Sequence, residues 1–226
     1  MQLTAPLGIF GGTFDPIHNG HIYPVLEAAK ITQIKNIGLM PCFIPSHKSD
    51  AIVSSKHRLK MVELICEQYP LFFADPRDIK RGKPTFTVDS LQEIRSAMPN
   101  TPICFFIGTD SLQKLCTWHQ WQRLFSLCHF VVCERKGDAV DKLKTDSDQY
   151  LQLQNLLKER QIFNVSGLHS SIAGHIYIAK TATITLSSTE VRNKIYNNQS
   201  VEDIMPPKII EYIEKHKLYQ PSTGFC

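Results

Sequence analysis

Leu7-Gly8-Ile9-Phe10-Gly11-Gly12-Thr13-Phe14-Asp15-Pro16-Ile17-His18-Asn19-Gly20-His21 is the stretch that decides the fold. A short apolar run ends in Gly-Gly and a polar turn, which is the pattern of a buried strand meeting a loop. From His18 to Thr32 the apolar residues Ile22, Val25, Leu26 and Ala29 recur at helical spacing. Two adjacent glycines let a backbone approach a ligand closely. The following helix aims unpaired N–H groups and a partial positive charge at the same spot. Strand, Gly-Gly, Thr, Asp-Pro and His-x-x-His in this order therefore describe a cradle for phosphate oxygens. His18 and His21, three apart, are expected on one helix face in the first turn, and Gly20 between them keeps the site open. The dinucleotide spacing G-x-G-x-x-G is absent, and no Gly-Lys-Ser/Thr follows as in a P-loop.

Working outward, strands are expected at 36–41, 71–74, 102–107 and 127–133, with helices from Ser54 or Ser55 to about 68 and from Thr87 to before Pro99. Residues 41–55 and 75–84 are expected to be loops. Alternating strands and helices imply right-handed crossovers and a parallel sheet covered on both faces. After Gly137 the pattern weakens. A helix at 150–157, late strands at 176–178 and 183–185, and closing helices at 188–196 and 207–216 complete the reading. The chain is thus expected to be one domain over 1–226. Its core spans about 7–136, a less regular insertion about 138–174, and a small C-terminal strand-helix part about 175–219.

The 226 residues are 42% hydrophobic and 20% charged, enough for a substantial core, and the net charge of +4 suits acidic small molecules without a dense basic block for nucleic acid. Seven cysteines without a C-x-x-C pair, several in apolar runs such as Ile103-Cys104-Phe105-Phe106, are expected as buried thiols in a reducing compartment. With no signal-peptide pattern and no membrane-length apolar stretch, a cytoplasmic protein that does not bind membranes is expected.

Other blocks stand out downstream. They are Ser46-His47-Lys48, Thr87-Val88-Asp89-Ser90-Leu91, Ile107-Gly108-Thr109-Asp110-Ser111-Leu112, Thr117-Trp118-His119-Gln120-Trp121, Ser187-Ser188-Thr189-Glu190-Val191-Arg192 and the closing Ile213-Glu214-Lys215-His216-Lys217-Leu218-Tyr219. Ser188, Thr189 and Arg192 give a second helix start with hydroxyls and a delocalised cation, which is another anion site. Gly108 and Asp110 follow a central strand at its C-terminal end, where open α/β sheets bind ligands.

Together with the opening stretch, these blocks resemble the nucleotidyltransferase superfamily that carries a His-x-Gly-His motif. Within it they look most like the bacterial nicotinate-nucleotide adenylyltransferases, over about residues 7–219. The resemblance implies an α/β, Rossmann-like doubly wound parallel sheet with helices on both faces and a small C-terminal helical part. It implies adenylyl transfer from ATP to nicotinate mononucleotide, giving deamido-NAD and pyrophosphate in NAD biosynthesis. His18, His21 and Arg192 would be catalytic. Gly11, Gly12, Thr13, Phe14, Gly108, Asp110, Arg135, Ser188 and Thr189 would hold ATP. His47, Lys48, Thr87, Trp118 and His119 would hold the acceptor, with Trp118 stacking on the pyridine ring. Mg²⁺ would arrive with ATP, no protein metal cage is implied, and Asp15 in its Asp-Pro turn would be structural. The partners are ATP and nicotinate mononucleotide, with a homo-oligomer left open. Nicotinamide mononucleotide or phosphopantetheine as acceptor, and a non-catalytic nucleotide sensor, stand as the alternatives. Ser46 and Lys136 occupy places where the family commonly has Pro.

Overall fold

The computed structural model describes residues 3–45, 51–135, 147–182, 184 and 186–221, the side chains at 45, 135 and 147 excepted. The strands are β1 (Leu7–Gly12), β2 (Ile37–Pro41), β3 (Ile44–Pro45), β4 (Phe72–Ala74), β5 (Pro84–Thr85), β6 (Ile103–Gly108), β7 (His129–Arg135), β8 (Gln161–Ile162) and β9 (Ile176–Thr181). The helices are α1 (Asn19–Thr32), α2 (Ser55–Gln68), α3 (Arg77–Arg81), α4 (Thr87–Ala97), α5 (Thr109–Gln113), α6 (Trp121–Leu127), α7 (Ser147–Arg160), α8 (Gly167–Ser170), α9 (Ser188–Tyr196) and α10 (Pro207–Lys215).

Seven strands form one sheet in the order β4-β2-β1-β6-β7-β9-β8, and every pairing in it is parallel. The chain starts in the middle, winds outward through β2 and β4, then returns to β6 and winds the other way. Where the direction reverses, β1 and β6 lie side by side (Leu7 opposite Ile103, Phe10 opposite Phe106), and their C-terminal ends open a crevice.

Alternation along β6 shows why its strand reads as a continuous apolar run. Cys104 and Phe106 enter a core shared with α1, α2, α9 and α10, while Ile103, Phe105 and Ile107 enter a second core under α4, α6 and α7. With both faces covered there is no polar side to encode. Each such large side chain contributes roughly 1.5–3 kcal/mol by leaving water.

Apart from the strand at 183–185, the expected elements are present with shifts of up to three residues at their ends. Four details differ. Residues 75–84, expected to be a loop, contain α3, which ends on Gly82 in the left-handed region at φ 65°. β3 and β5 pair in a small separate sheet, Ile44 opposite Pro84, within segments expected to be loops. Two-residue strands hold too few residues for a periodic pattern to show. The segment 138–174 contributes α7, β8 and α8 to the same body. Of the late strand expected at 183–185, Ile184 is not in a strand, and Thr183 and Thr185 lie outside the described residues.

Six cysteines fall among the described residues, and all are free thiols, four of them buried. Burial pushes Cys66 and Cys104 up to about 12, which makes them packing groups rather than nucleophiles. Among the described residues no helix is long and apolar enough to cross a membrane.

Candidate active site

The site is built where β1 stops. Gly11, Gly12 and Thr13 carry the chain out of the sheet, and Phe14 turns it with φ 52°, unusual for a residue with a side chain. Its ring, 1% exposed, packs edge-on against Phe10 and His21 at 5.5 and 5.4 Å. The turn is therefore held by an aromatic plug rather than by glycine.

His18 is the N-cap of α1, one residue before the helix and not in its first turn as expected; its Nδ1 accepts from the Gly20 N–H at 3.1 Å. That bond places the proton of the neutral ring on Nε2. His18 still meets His21, their ring centroids 3.9 Å apart, because the extended cap residue turns its side chain back over the first turn. Gly20 is needed for this closeness: a Cβ there would lie 3.0 Å from both Cε1 and Nδ1 of His18. The glycine makes room for the imidazole.

Two clefts open at the strand ends. One, of about 240 Å³, is walled by Met40, Cys42, Asp78, Thr85, Thr87 and Trp118. The other, of about 200 Å³, is walled by Gly20, His21, Pro24, Asp110, Cys133 and Ser188. They share Gly11, Gly12, Thr13, Gly108 and Ser111. A further cavity of about 400 Å³ between α9 and α10, reached by Glu202 and Ile213, contains none of these residues.

The second helix start is held against the first. Ser187 caps α9 in a reciprocal box with Glu190, and Ser188 donates its hydroxyl to the Pro16 carbonyl at 3.1 Å. Arg192 donates to the Asp15 carbonyl at 2.7 Å and to Thr189 Oγ1 at 3.1 Å. Asp15 itself is 4% exposed, accepting from the Ile52 N–H and the Tyr219 hydroxyl at 2.8 and 2.7 Å. It acts as a tie between three distant segments, in keeping with a structural role.

Of the residues singled out from the sequence, Gly11, Gly12, Thr13, Phe14, His21, Gly108, Asp110 and Ser188 line the second cleft, and Thr87 and Trp118 line the first. His18 stands behind His21, 1% exposed. Arg192 supports the motif turn through the Asp15 carbonyl, and Thr189 accepts from Arg192. His119 is exposed and packs on Phe86 at 4.8 Å without lining either cleft. Trp118 follows the short 3₁₀ turn Leu115–Thr117 and Trp121 opens α6, so the two indoles are not on one helix. His47 and Lys48 lie outside the described residues, as does the side chain of Arg135.

Three buried polar groups at the site carry no role in the sequence reading. Arg58 belongs to the apolar face of α2 with Met61, Val62 and Ile65, and a charge at that spacing is a signal the sequence did carry. Asp78, 1% exposed, accepts from Ser90 and pairs with Arg81 at 3.0 Å. Burial pushes its carboxyl up, against the pull of Ser90 and Arg81. Tyr219 closes onto Asp15, and burial pushes its hydroxyl up so that it remains a donor. The Asp78–Arg81 pair at i,i+3 reads like any exposed helix pair, and the partner of Tyr219 is 204 residues away, so the sequence does not mark either residue as buried.

Adjacent clefts at a topological switch point, with paired histidines at one helix start and hydroxyls at another, define a nucleotide-handling transferase site. In agreement, the cytidylyltransferase-like family model matches residues 9–194, which sets the class as nucleotidyltransferase. A Pseudoalteromonas atlantica protein named "Probable nicotinate-nucleotide adenylyltransferase" is 45% identical over 99% of both chains, and one of the same name from Aeromonas salmonicida is 38% identical over 97% of this chain and 99% of its own. The fold is that of a Plasmodium falciparum nicotinic acid mononucleotide adenylyltransferase complexed with NaAD (TM-score 0.68, 22% identity, 96% of this chain and 98% of that one). The chain belongs to the nicotinate-nucleotide adenylyltransferase family.

Proposed function

We propose that the enzyme transfers the adenylyl group of ATP to nicotinate mononucleotide, giving deamido-NAD and pyrophosphate for NAD biosynthesis. The observation that carries this reading is the common edge of the two clefts at Gly11–Thr13 and Gly108. Two substrates seated on either side of that edge bring their phosphates together at it.

In this reading ATP occupies the cleft of His21, Asp110 and Ser188. Backbone N–H groups of Gly11 to Phe14 face its phosphates, Asp110 takes the nucleoside, and the start of α9 takes the pyrophosphate end. Arg135 would also contact ATP. The pyridine ring lies on Trp118, with its carboxylate at the N–H groups near Thr87; His47, Lys48 and His119 would serve the acceptor's outer side.

An ionised oxygen of the acceptor's 5′-phosphate attacks the α-phosphorus of ATP in line, and the bond to the pyrophosphate oxygen breaks. The nucleophile is already an anion, so no strong base is required. Catalysis then consists of positioning and of donors aimed at developing charge. His21 faces the reacting phosphates directly, and His18 contributes its Nε2–H from the cap position. Arg192 supports the leaving end through the motif turn.

Mg²⁺ enters as ATP's counter-ion. Among the described residues no three His, Cys, Asp or Glu gather as a metal site, and Asp15 is committed to Tyr219, Ile52 and Arg192. Phosphate and water oxygens would supply most of the coordination of an ion brought by ATP.

The test offers the purified protein ATP with nicotinate mononucleotide, nicotinamide mononucleotide or phosphopantetheine and measures pyrophosphate release. Release with nicotinate mononucleotide above the other two is expected. Release only with phosphopantetheine overturns the acceptor, and release with none favours a nucleotide sensor.

A further inference from the structure

Arg58 is 1% exposed, yet no carboxylate among the described residues lies within ion-pair distance of it. Its guanidinium is held by carbonyls instead: NH1 donates to Thr13 O and Cys42 O, and NH2 to Phe43 O, each at 2.7 Å. The buried acids of the neighbourhood are engaged elsewhere, Asp15 with Tyr219 and Arg192, Asp78 with Ser90 and Arg81. Carbonyl dipoles supply only partial charges, so a buried cation of this kind stays short of a full counter-charge.

Two of the three carbonyls belong to residues that wall the site, and Phe43 is the chain neighbour of Cys42. Thr13 lines both clefts and Cys42 the one with Trp118. The Cys42 N–H donates to Gly12 O at 3.0 Å, and the Phe43 N–H donates to Thr85 Oγ1 at 3.1 Å. Gly12, Thr13, Cys42, Phe43 and Thr85 thus form a hydrogen-bonded rim around one guanidinium. Because C=O and N–H point oppositely across a trans peptide, the bond to Thr13 O also turns the Phe14 N–H away from Arg58. That peptide precedes a residue at φ 52°, a conformation that needs an external hold.

We infer that Arg58 is a positioning residue with two effects. Its fork fixes the motif turn against the wall of the acceptor cleft, and its charge, incompletely neutralised by protein, raises the affinity of the Gly11–Thr13 edge for phosphate anions. The inference rests on the proposed function only in placing phosphates at that edge. It adds a residue of α2, outside every motif block, to the cations of the site, and it links the two clefts through one side chain.

The test separates charge from geometry in the full chain. Arg58→Lys keeps the charge and loses the planar fork, whereas Arg58→Met loses both. Arg58→Gln replaces the Met variant if that one does not fold. Binding of inorganic pyrophosphate is measured by calorimetry, and the Michaelis constants for ATP and nicotinate mononucleotide by pyrophosphate release. Pyrophosphate affinity is expected to fall roughly tenfold or more in the neutral variant, with the deficit shrinking at high salt, and to change little in Arg58→Lys. The acceptor's Michaelis constant is expected to rise in both variants and more than that for ATP. Unchanged pyrophosphate affinity in a folded neutral variant overturns the role of the charge. An unchanged acceptor constant in Arg58→Lys overturns the link between the walls. Intact pyrophosphate binding by the wild type without turnover overturns the acceptor assignment and leaves this inference standing; no pyrophosphate binding overturns both.

Discussion

Tyr219 donates its hydroxyl to Asp15 Oδ1 at 2.7 Å, joining positions 204 residues apart. The bond fastens the last helical segment to the motif turn, and Arg192 reaches the same residue through its backbone carbonyl at 2.7 Å. The removal of the hydroxyl in Tyr219→Phe leaves a buried carboxylate oxygen short of a donor. Stability is expected to fall by about 1–3 kcal/mol. Denaturant unfolding measures this, and a midpoint equal to wild type would show that the clasp is idle.

His18 has two duties that one substitution would confuse. His18→Ala removes the imidazole and the cap of α1, so turnover should drop roughly 10²-fold and stability by about 1 kcal/mol. His18→Asn keeps a capping oxygen, so it should retain most of the stability while losing the same turnover. Single-turnover rates and unfolding curves for both variants check this. Near-wild-type turnover in either removes His18 from the mechanism.

Trp118 lines the cleft with Thr87 and packs edge-on to Phe105 at 6.3 Å. Trp118→Ala should raise the Michaelis constant for nicotinate mononucleotide by tenfold or more, on the order of 1.4 kcal/mol, and leave that for ATP within about threefold. Equal effects on both substrates would point to collapse of the cleft rather than loss of stacking.

His129 gives the enzyme an acid limit. Burial pushes its imidazole from 6.5 down to about 4, and the neutral ring is specifically bonded, Nε2 donating to Ser171 O at 2.8 Å and Nδ1 accepting from the His175 N–H at 3.1 Å. Between those two values the unfolded chain binds a proton that the folded chain refuses. Stability is therefore unaffected by this group above pH 6.5 and falls as pH drops toward 4, by at most about 1.4 kcal/mol per pH unit. Unfolding curves over that window should be flatter for His129→Gln. An identical slope would assign the acid sensitivity to other groups.

Much of this molecule can be read from its chain. The parallel sheet follows from apolar runs such as 103–107 spaced by helical patterns, because strands buried on both faces need no alternation. The glycine turn at the end of β1 and the pairing of the two histidines follow from Gly-Gly and His-x-x-His, because both are local properties of nearby residues. The position of His18 was misjudged by one residue, since whether a residue caps a helix or begins it depends on its φ and ψ. The small β3–β5 sheet was missed because two residues carry no period.

What the sequence by itself determined is the class of chemistry and the frame that carries it: a doubly wound sheet, two helix starts bearing histidines and hydroxyls, and the family to which their wording belongs. Only the tertiary structure decided that the two clefts share an edge, which distant segments Asp15 ties together, and that Arg58 lies buried beside that edge. The physical reason is range. Strand and helix patterns, caps and glycine turns arise within a few residues. By contrast, the contacts of Asp15 with Tyr219 and of Arg58 with Thr13 span 204 and 45 residues, and exist only once the sheet has brought those segments together.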